Sequence, residues 1–263
     1  MPELAEVEWY RRQWDAGIGD KVTAVRLHSG KYVLRGVDER ALRRLAGKKL
    51  LGSDRHGKQM LFRFSNNHFL GIHLGMTGKT RVETADFQPG KYEHLVLYQK
   101  TRALVFSDPR QLGRVRVDSD IEAPSWWKND PPQIESSSFD RTFFDRFLKR
   151  HAKAPIKAVL LMQSGFAGIG NWMADEILWR AKVLPAKRVF RLAKGESDAI
   201  FRATKFVVKH ALVTTGRDFS DPPKNWLIHQ KWKRDGVCPK HRTSLRHATI
   251  GGRSTAWCPK CQR

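Results

Sequence analysis

Apolar side chains recur at helical spacing at the start of the chain, where Leu4, Val7, Tyr10 (or Arg11) and Trp14 share one face of about three turns. The pattern then shortens. Six β-type runs follow at 22–27, 60–64, 69–74, 93–98, 103–107 and 114–117, with Gly, Asn and Asp between them. Short strands punctuated in this way predict an antiparallel sandwich or barrel. Among them, 38–47 reads as a short helix opened by Asp38 and closed by Gly47. Residues 118–138 hold Pro124, Pro131, Pro132 and the run Ser136-Ser137-Ser138, the composition of a linker. Beyond it the helical period returns, at 139–150, 155–163, 171–182 and 195–215, and 216–237 reads as loop or short helix. Residues 246–257 read as strand, Gly251-Gly252 turn, strand. The predicted class is α+β and multidomain. A β-sandwich domain with a leading helix occupies 1–118, a linker 119–138, a helical domain 139–232 and a finger 233–263.

Charge narrows the function. Lys and Arg number 49 against 26 Asp and Glu, a net +23 on 263 residues. Folding needs no such excess, and it predicts a polyanionic partner gripped with release of counterions. A membrane surface would also attract it, but there is no apolar run of about 18 residues and no strong amphipathic anchor. Nine Trp and 14 Phe can fill a substantial core. The acidic start, Pro2-Glu3-Leu4-Ala5-Glu6, is unlike a secretion or transit signal.

All three cysteines lie near the end, in two related turns. Cys238-Pro239-Lys240-His241 and Cys258-Pro259-Lys260-Cys261 are separated by 16 residues. C-x2-H and C-x2-C put two ligands on each of two tight turns, which suits one structural, tetrahedral Zn²⁺. A disulfide with a spare thiol is the competing reading. It leaves an odd cysteine and no use for His241. Arg253 sits beside the hairpin turn, aimed at something anionic. Reduced, metal-serving thiols point to a reducing compartment, the cytoplasm, at the nucleoid in a bacterium.

Two further segments carry candidate chemistry. Residues 164–171, Ser-Gly-Phe-Ala-Gly-Ile-Gly-Asn, separate two helices, with Asn171 at the N-cap position. Such a run is either a plain glycine-rich turn or a phosphate site at a helix N-terminus, and the basic balance favours phosphate. At the chain start, removal of Met1 would expose the Pro2 secondary amine. An α-amino group has a pKa near ~8, so a usable fraction is neutral and able to attack an aldehydic carbon. Glu3 and Glu6 stand close enough in sequence to move protons. Read from residues alone, however, Pro followed by acids is an ordinary helix start.

The chain resembles the formamidopyrimidine-DNA glycosylase and endonuclease VIII family. The resemblance runs through 2–8, Gly57-Lys58, His73-Leu74-Gly75-Met76-Thr77-Gly78, Asp108-Pro109-Arg110, Ile156-Lys157, 167–171, Gly252-Arg253-Ser254-Thr255 and Cys258-Pro259-Lys260-Cys261-Gln262. It implies a sandwich, a helix-two-turn-helix domain and a zinc-finger hairpin. It also implies a monomeric DNA glycosylase with AP-lyase activity on oxidised or ring-opened bases in duplex DNA. By resemblance Pro2 is the nucleophile and Glu3 the general acid. Lys58, His73, Asn171 and Arg253 resemble phosphate-gripping residues. Met76, Arg110 and Leu112 match the wedge that fills the gap of a flipped nucleotide, and Lys157 matches a lysine that helps process the base.

Four positions depart from the family pattern. Ala5 replaces a proline, His241 a finger cysteine and Leu112 the phenylalanine of many purine-directed members. Residues 216–235 do not match the loop that covers an oxidised purine. A non-catalytic zinc-finger DNA-binding protein on this scaffold, or a zinc-ribbon RNA binder, are the competing classes. Pure binding has no use for Pro2, Glu3 and Lys58 together.

Overall fold

A computed structural model describes residues 1–263, which group into two compact units. The first comprises Met1–Pro2 and Glu6–Asp130, and the second Glu3–Ala5 and Pro131–Arg263.

In the first unit, helix α1 (Leu4–Gln13), which belongs to this unit from Glu6 on, leads into strands β1 (Ala24–Leu27), β2 (Leu50–His56), β3 (Gln59–Phe64), β4 (His68–His73), β5 (Lys79–Thr84), β6 (Glu93–Tyr98), β7 (Arg102–Ser107) and β8 (Arg114–Ser119), with the short helix α2 (Glu39–Arg43) after β1. They form two antiparallel four-stranded sheets, ordered β1-β6-β7-β5 and β2-β3-β4-β8. The core holds Val7, Trp14, Phe62, Phe64, Ile72, Leu97 and Phe106 from both sheets and the helix. Trp14 is fully buried and donates its indole N–H to the Arg81 carbonyl at 3.2 Å, so its polar edge is satisfied. Strands β2 and β5 are absent from the hydrophobic pattern because Gly52, Asp54 and Arg55, and Lys79, Arg81 and Glu83, break any apolar alternation. Register with better-patterned neighbours places them. Part of the expected linker is also ordered on this unit. Helix α3 (Ser125–Lys128) lays the Trp126 ring over Gly71 of β4, where a Cβ would lie within 2.9 Å of ring carbon Cζ2.

The second unit is built on α4 (Arg141–Arg150), α5 (Ile156–Leu160), α6 (Asn171–Ala181) and α7 (Lys194–Val213), followed by α8 (Thr215–Asp218) and α9 (Ile228–Lys231). Asp140 caps α4 by accepting from the Phe143 N–H at 2.7 Å. Phe139, Phe144, Phe147, Phe166, Ile177 and Val207 fill this core. The hairpin β9 (Arg246–Ile250) and β10 (Arg253–Trp257) closes the chain. Gly251 and Gly252 take φ of +61° and +73° at its tip, a conformation that disfavours side chains. A Cβ on Gly251 would also come within 2.8 Å of the Ala158 Cβ of α5. No helix of the protein is long and apolar enough to cross a membrane.

Candidate active site and metal centre

The four donor atoms of Cys238, His241, Cys258 and Cys261 lie within 4.8 Å of one another. His241 Nδ1 is 3.6 Å from Cys238 Sγ and 3.8 Å from Cys258 Sγ. Edges of a zinc tetrahedron with metal bonds of about 2.1–2.3 Å are about 3.5–3.8 Å, so the donor set fits one such ion. Its surroundings orient it. Trp179 Nε1 donates to Cys238 Sγ at 3.3 Å, and Gln262 Oε1 accepts from the Cys258 N–H at 2.9 Å. Such outer partners fix ligand direction. The three cysteines are unbridged.

Glu3 is 4% exposed and occupies the N-terminus of α6. Its carboxylate accepts from the N–H groups of Gly170 (3.0 Å), Trp172 (2.9 Å) and Met173 (3.2 Å). The anion at this helix end is therefore a side chain of the protein itself. Here the structure differs from the expectation that Asn171 is the N-cap. Gly170 is the cap residue, Asn171 is the first residue of the helix, and the glycine run makes room. A Cβ on Gly170 would run into the Glu3 carboxylate, and one on Gly168 into Leu4, whose N–H donates to the Gly168 carbonyl at 3.0 Å. Gly170→Ala is accordingly expected to cost about 1–3 kcal/mol, read as a lower chemical-unfolding midpoint.

Asn171 lies against the hairpin. Its Nδ2 donates to Ser254 Oγ at 3.3 Å, while its buried Oδ1 has no partner. Arg253, the neighbour of Ser254, is exposed. Lys157, expected at the DNA, is instead fully buried. Its amine pairs with Asp175 and reaches the Asn171 carbonyl at 3.4 Å. Lys231 pairs with the other Asp175 oxygen at 2.5 Å. Burial lowers the Lys157 pKa to about 8, against the pull of Asp175. Neither Asp175 nor Lys231 stood out in the sequence.

In the first unit Lys58 follows Gly57 at the β2–β3 turn, partly buried, and His73 ends β4 between Gln59 and Arg114 on the flanking strands. Burial first, then the charges of Lys58, Arg116 and Arg35, push His73 down to about 4. The Gly75 N–H donates to His73 Nδ1 at 3.1 Å, which leaves the proton of this neutral ring on Nε2. His73 thus offers an outside partner one neutral N–H donor.

Met76, Arg110 and Leu112 stand on two adjoining loops, with Met76 39% and Leu112 42% exposed. Buried Asp108 ties the loops together. It accepts from Thr77 Oγ1 (2.5 Å), the Arg110 N–H (3.3 Å) and the Gly113 N–H (2.7 Å). Gly75 adopts φ +63° and packs backbone to backbone, since a Cβ there would lie 2.5 Å from the Gly113 nitrogen. Two exposed apolar side chains are therefore held forward on a rigid base. Pro2 and Glu6 are both partly buried, and Glu6 contributes to raising the Tyr10 pKa, after burial.

Comparison with known proteins agrees with this layout. The formamidopyrimidine-DNA glycosylase N-terminal domain matches residues 1–115, and the formamidopyrimidine-DNA glycosylase H2TH domain matches 130–221. The formamidopyrimidine-DNA glycosylase of Thermus thermophilus is 33% identical over 275 residues, covering all of this chain and 98% of that protein. That of Halorhodospira halophila is 30% identical over 274 residues, covering both chains completely. Among solved structures, Lactococcus lactis Fpg in complex with abasic-site DNA superposes with a TM-score of 0.88 at 27% identity over 99% of each chain. MutM in complex with DNA containing carbocyclic 8-oxo-G gives 0.88 at 27% over 100% of each. Two antiparallel sheets, a helix-two-turn-helix unit and a Cys/His hairpin are together the architecture of a DNA-repair glycosylase. The chain belongs to the formamidopyrimidine-DNA glycosylase family.

Proposed function

We propose that the protein is a bifunctional base-excision glycosylase and AP lyase. It acts as a monomer in the bacterial cytoplasm on oxidised or ring-opened bases in duplex DNA. The carrying observation is the Glu3 carboxylate cradled by three backbone N–H groups at the N-terminus of α6, those of Gly170, Trp172 and Met173, one residue after Pro2. A carboxylate held so firmly next to a potential free amine has a chemical use. With Met1 removed, the Pro2 nitrogen attacks C1′ and the glycosidic bond breaks, its electron pair leaving with the base. The Pro2 nitrogen sheds its N–H proton, and the C1′–O4′ bond of the adduct opens as O4′ takes a proton from Glu3; the iminium so formed acidifies C2′–H. Loss of that proton expels the 3′ phosphate, a second elimination expels the 5′ phosphate, and water releases the amine. Glu3 supplies and receives the proton at the sugar.

The other roles follow the chemistry of each group. Lys58, His73, Asn171 and Arg253 bind phosphates around the lesion, His73 as a neutral donor. Met76, Arg110 and Leu112 fill the stack behind the flipped nucleotide. Lys157 acts from inside the protein. One Zn²⁺ on Cys238, His241, Cys258 and Cys261 is structural and keeps the hairpin that bears Arg253 in shape.

Borohydride trapping on duplexes carrying single lesions tests the reading: a covalent protein–DNA adduct is expected, and its absence on every substrate overturns it. Substrate preference follows from the segment after α7. It is tied down, with Thr215 Oγ1 donating to the Ser220 carbonyl at 2.9 Å and the Leu227 N–H donating to Glu176 at 2.7 Å. A purine cover that recognises one distinguishing group is worth about 1–3 kcal/mol, or one to two decades in rate. Abasic sites, formamidopyrimidines and hydantoins need such a cover less, because they flip more easily. They are expected to be processed faster than 8-oxoguanine in single-turnover assays. Fastest cleavage of 8-oxoguanine opposite cytosine would contradict this.

A further inference from the structure

Asp175 is clasped by two buried ammonium groups, Lys157 on one carboxylate oxygen and Lys231 on the other. All three residues are at most 3% exposed. A lysine needed only to fill space would be replaced at less cost by methionine, since enclosing an ion requires compensating partners. Here both amines share a second partner as well. Lys157 Nζ and Lys231 Nζ donate to the Asn171 carbonyl oxygen at 3.4 and 3.2 Å. That oxygen belongs to the same peptide group as the Trp172 N–H, which donates to Glu3 Oε1 at 2.9 Å. A peptide whose oxygen faces ammonium ions is polarised, and its N–H becomes the stronger donor.

We propose that Lys231 is a positioning residue for Glu3, acting through the Asn171–Trp172 peptide: its ammonium, shared between Asp175 and the Asn171 carbonyl, strengthens the Trp172 N–H that holds the Glu3 carboxylate. The charged groups facing this peptide are Lys157 from α5, Asp175 from α6, Lys231 from the end of α9 and Glu3 from the N-terminal segment. Lys157 contributes to the same grip, but burial, and secondarily the Lys231 charge, bring it down to about 8, and above that pH its share is lost. The proposal rests on the reading of Glu3 as the proton-transfer group beside Pro2.

The test uses full-length protein carrying ¹³C at the glutamate carboxyls, with Glu3→Gln serving to assign the Glu3 signal. Removing a buried positive charge raises the proton affinity of a nearby carboxylate. In Lys231→Met the Glu3 titration midpoint is therefore expected about one unit higher than in the parent. The limb of the pH profile of single-turnover abasic-site cleavage that Glu3 governs is expected to move up by the same unit. Lys231→Arg, which keeps the charge, is expected to preserve both. Lys231→Gln, a donor without the charge, is expected to move the midpoint as the methionine variant does, and serves if that variant fails to fold. A folded Met or Gln variant with lowered thermal stability and an unmoved Glu3 midpoint overturns the proposal. Failure of the parent protein to cleave abasic DNA would remove the lyase reading, while the carboxyl titration still decides the role of Lys231.

Discussion

Protein that retains Met1 is expected to form no borohydride-stable adduct with abasic-site DNA, and Pro2→Gly to form about a hundredfold less than the processed parent. In the first case the Pro2 nitrogen is an amide with no available lone pair. In the second a primary amine remains, but the ring that fixes the backbone angle and locates the nitrogen is gone. Glu3, the next residue, is fixed by its three N–H donors, so one rigid residue is what joins the amine to its proton partner. Near physiological pH the reaction should accelerate as pH rises towards the amine pKa of ~8, because only the neutral amine attacks. Gel quantification of the trapped species, with mass spectrometry to verify Met1 processing, reads the result. An undiminished adduct in Pro2→Gly would place the nucleophile elsewhere, with Lys58 the next candidate.

Motifs that carry chemistry within a few consecutive residues were legible in the sequence, and relations that depend on tertiary contact were not. The metal ligands are an example of the first kind. Two turns of fixed spacing announce a tetrahedral set, and their donor atoms do converge. The glycine run before Asn171 announced a close approach of backbone to an anion, but not that the anion is Glu3, some 167 residues away in the chain. Lys231 and Asp175 gave no signal because a lone lysine and a helical aspartate normally face water. Their burial as partners is a property of the packed unit. His73 likewise reads as a possible cation in isolation, and only burial beside Lys58, Arg116 and Arg35 makes it neutral. The fold divides in the same way. Strands with apolar alternation were visible, whereas β2 and β5 exist through pairing with β3 and β7.

Removal of the metal is expected to abolish DNA binding while the sandwich of the first unit stays folded. The buried apolar residues of the finger are few: Leu227, Cys238, Leu245, Ala256 and Cys258, with Trp179 and Cys261 packed against them. So small a cluster cannot hold a two-stranded hairpin by itself, whereas a structural zinc contributes about 10–16 kcal/mol to a finger of this kind. Loss of the ion frees both turns, and with them the strand pairing that places Arg253 opposite Ile250. It also releases Ser254 from Asn171, so two phosphate-binding candidates lose their support together. Elemental analysis should find one zinc per chain. Chelation should raise the Kd for abasic duplex beyond measurement and leave the β-sheet circular dichroism of the sandwich in place. His241→Cys should restore a four-thiolate site and keep binding, whereas His241→Ala should bind zinc far more weakly. A stably metal-free protein with undiminished DNA affinity would refute a structural zinc. Unchanged zinc content in His241→Ala would show that the fourth ligand lies elsewhere.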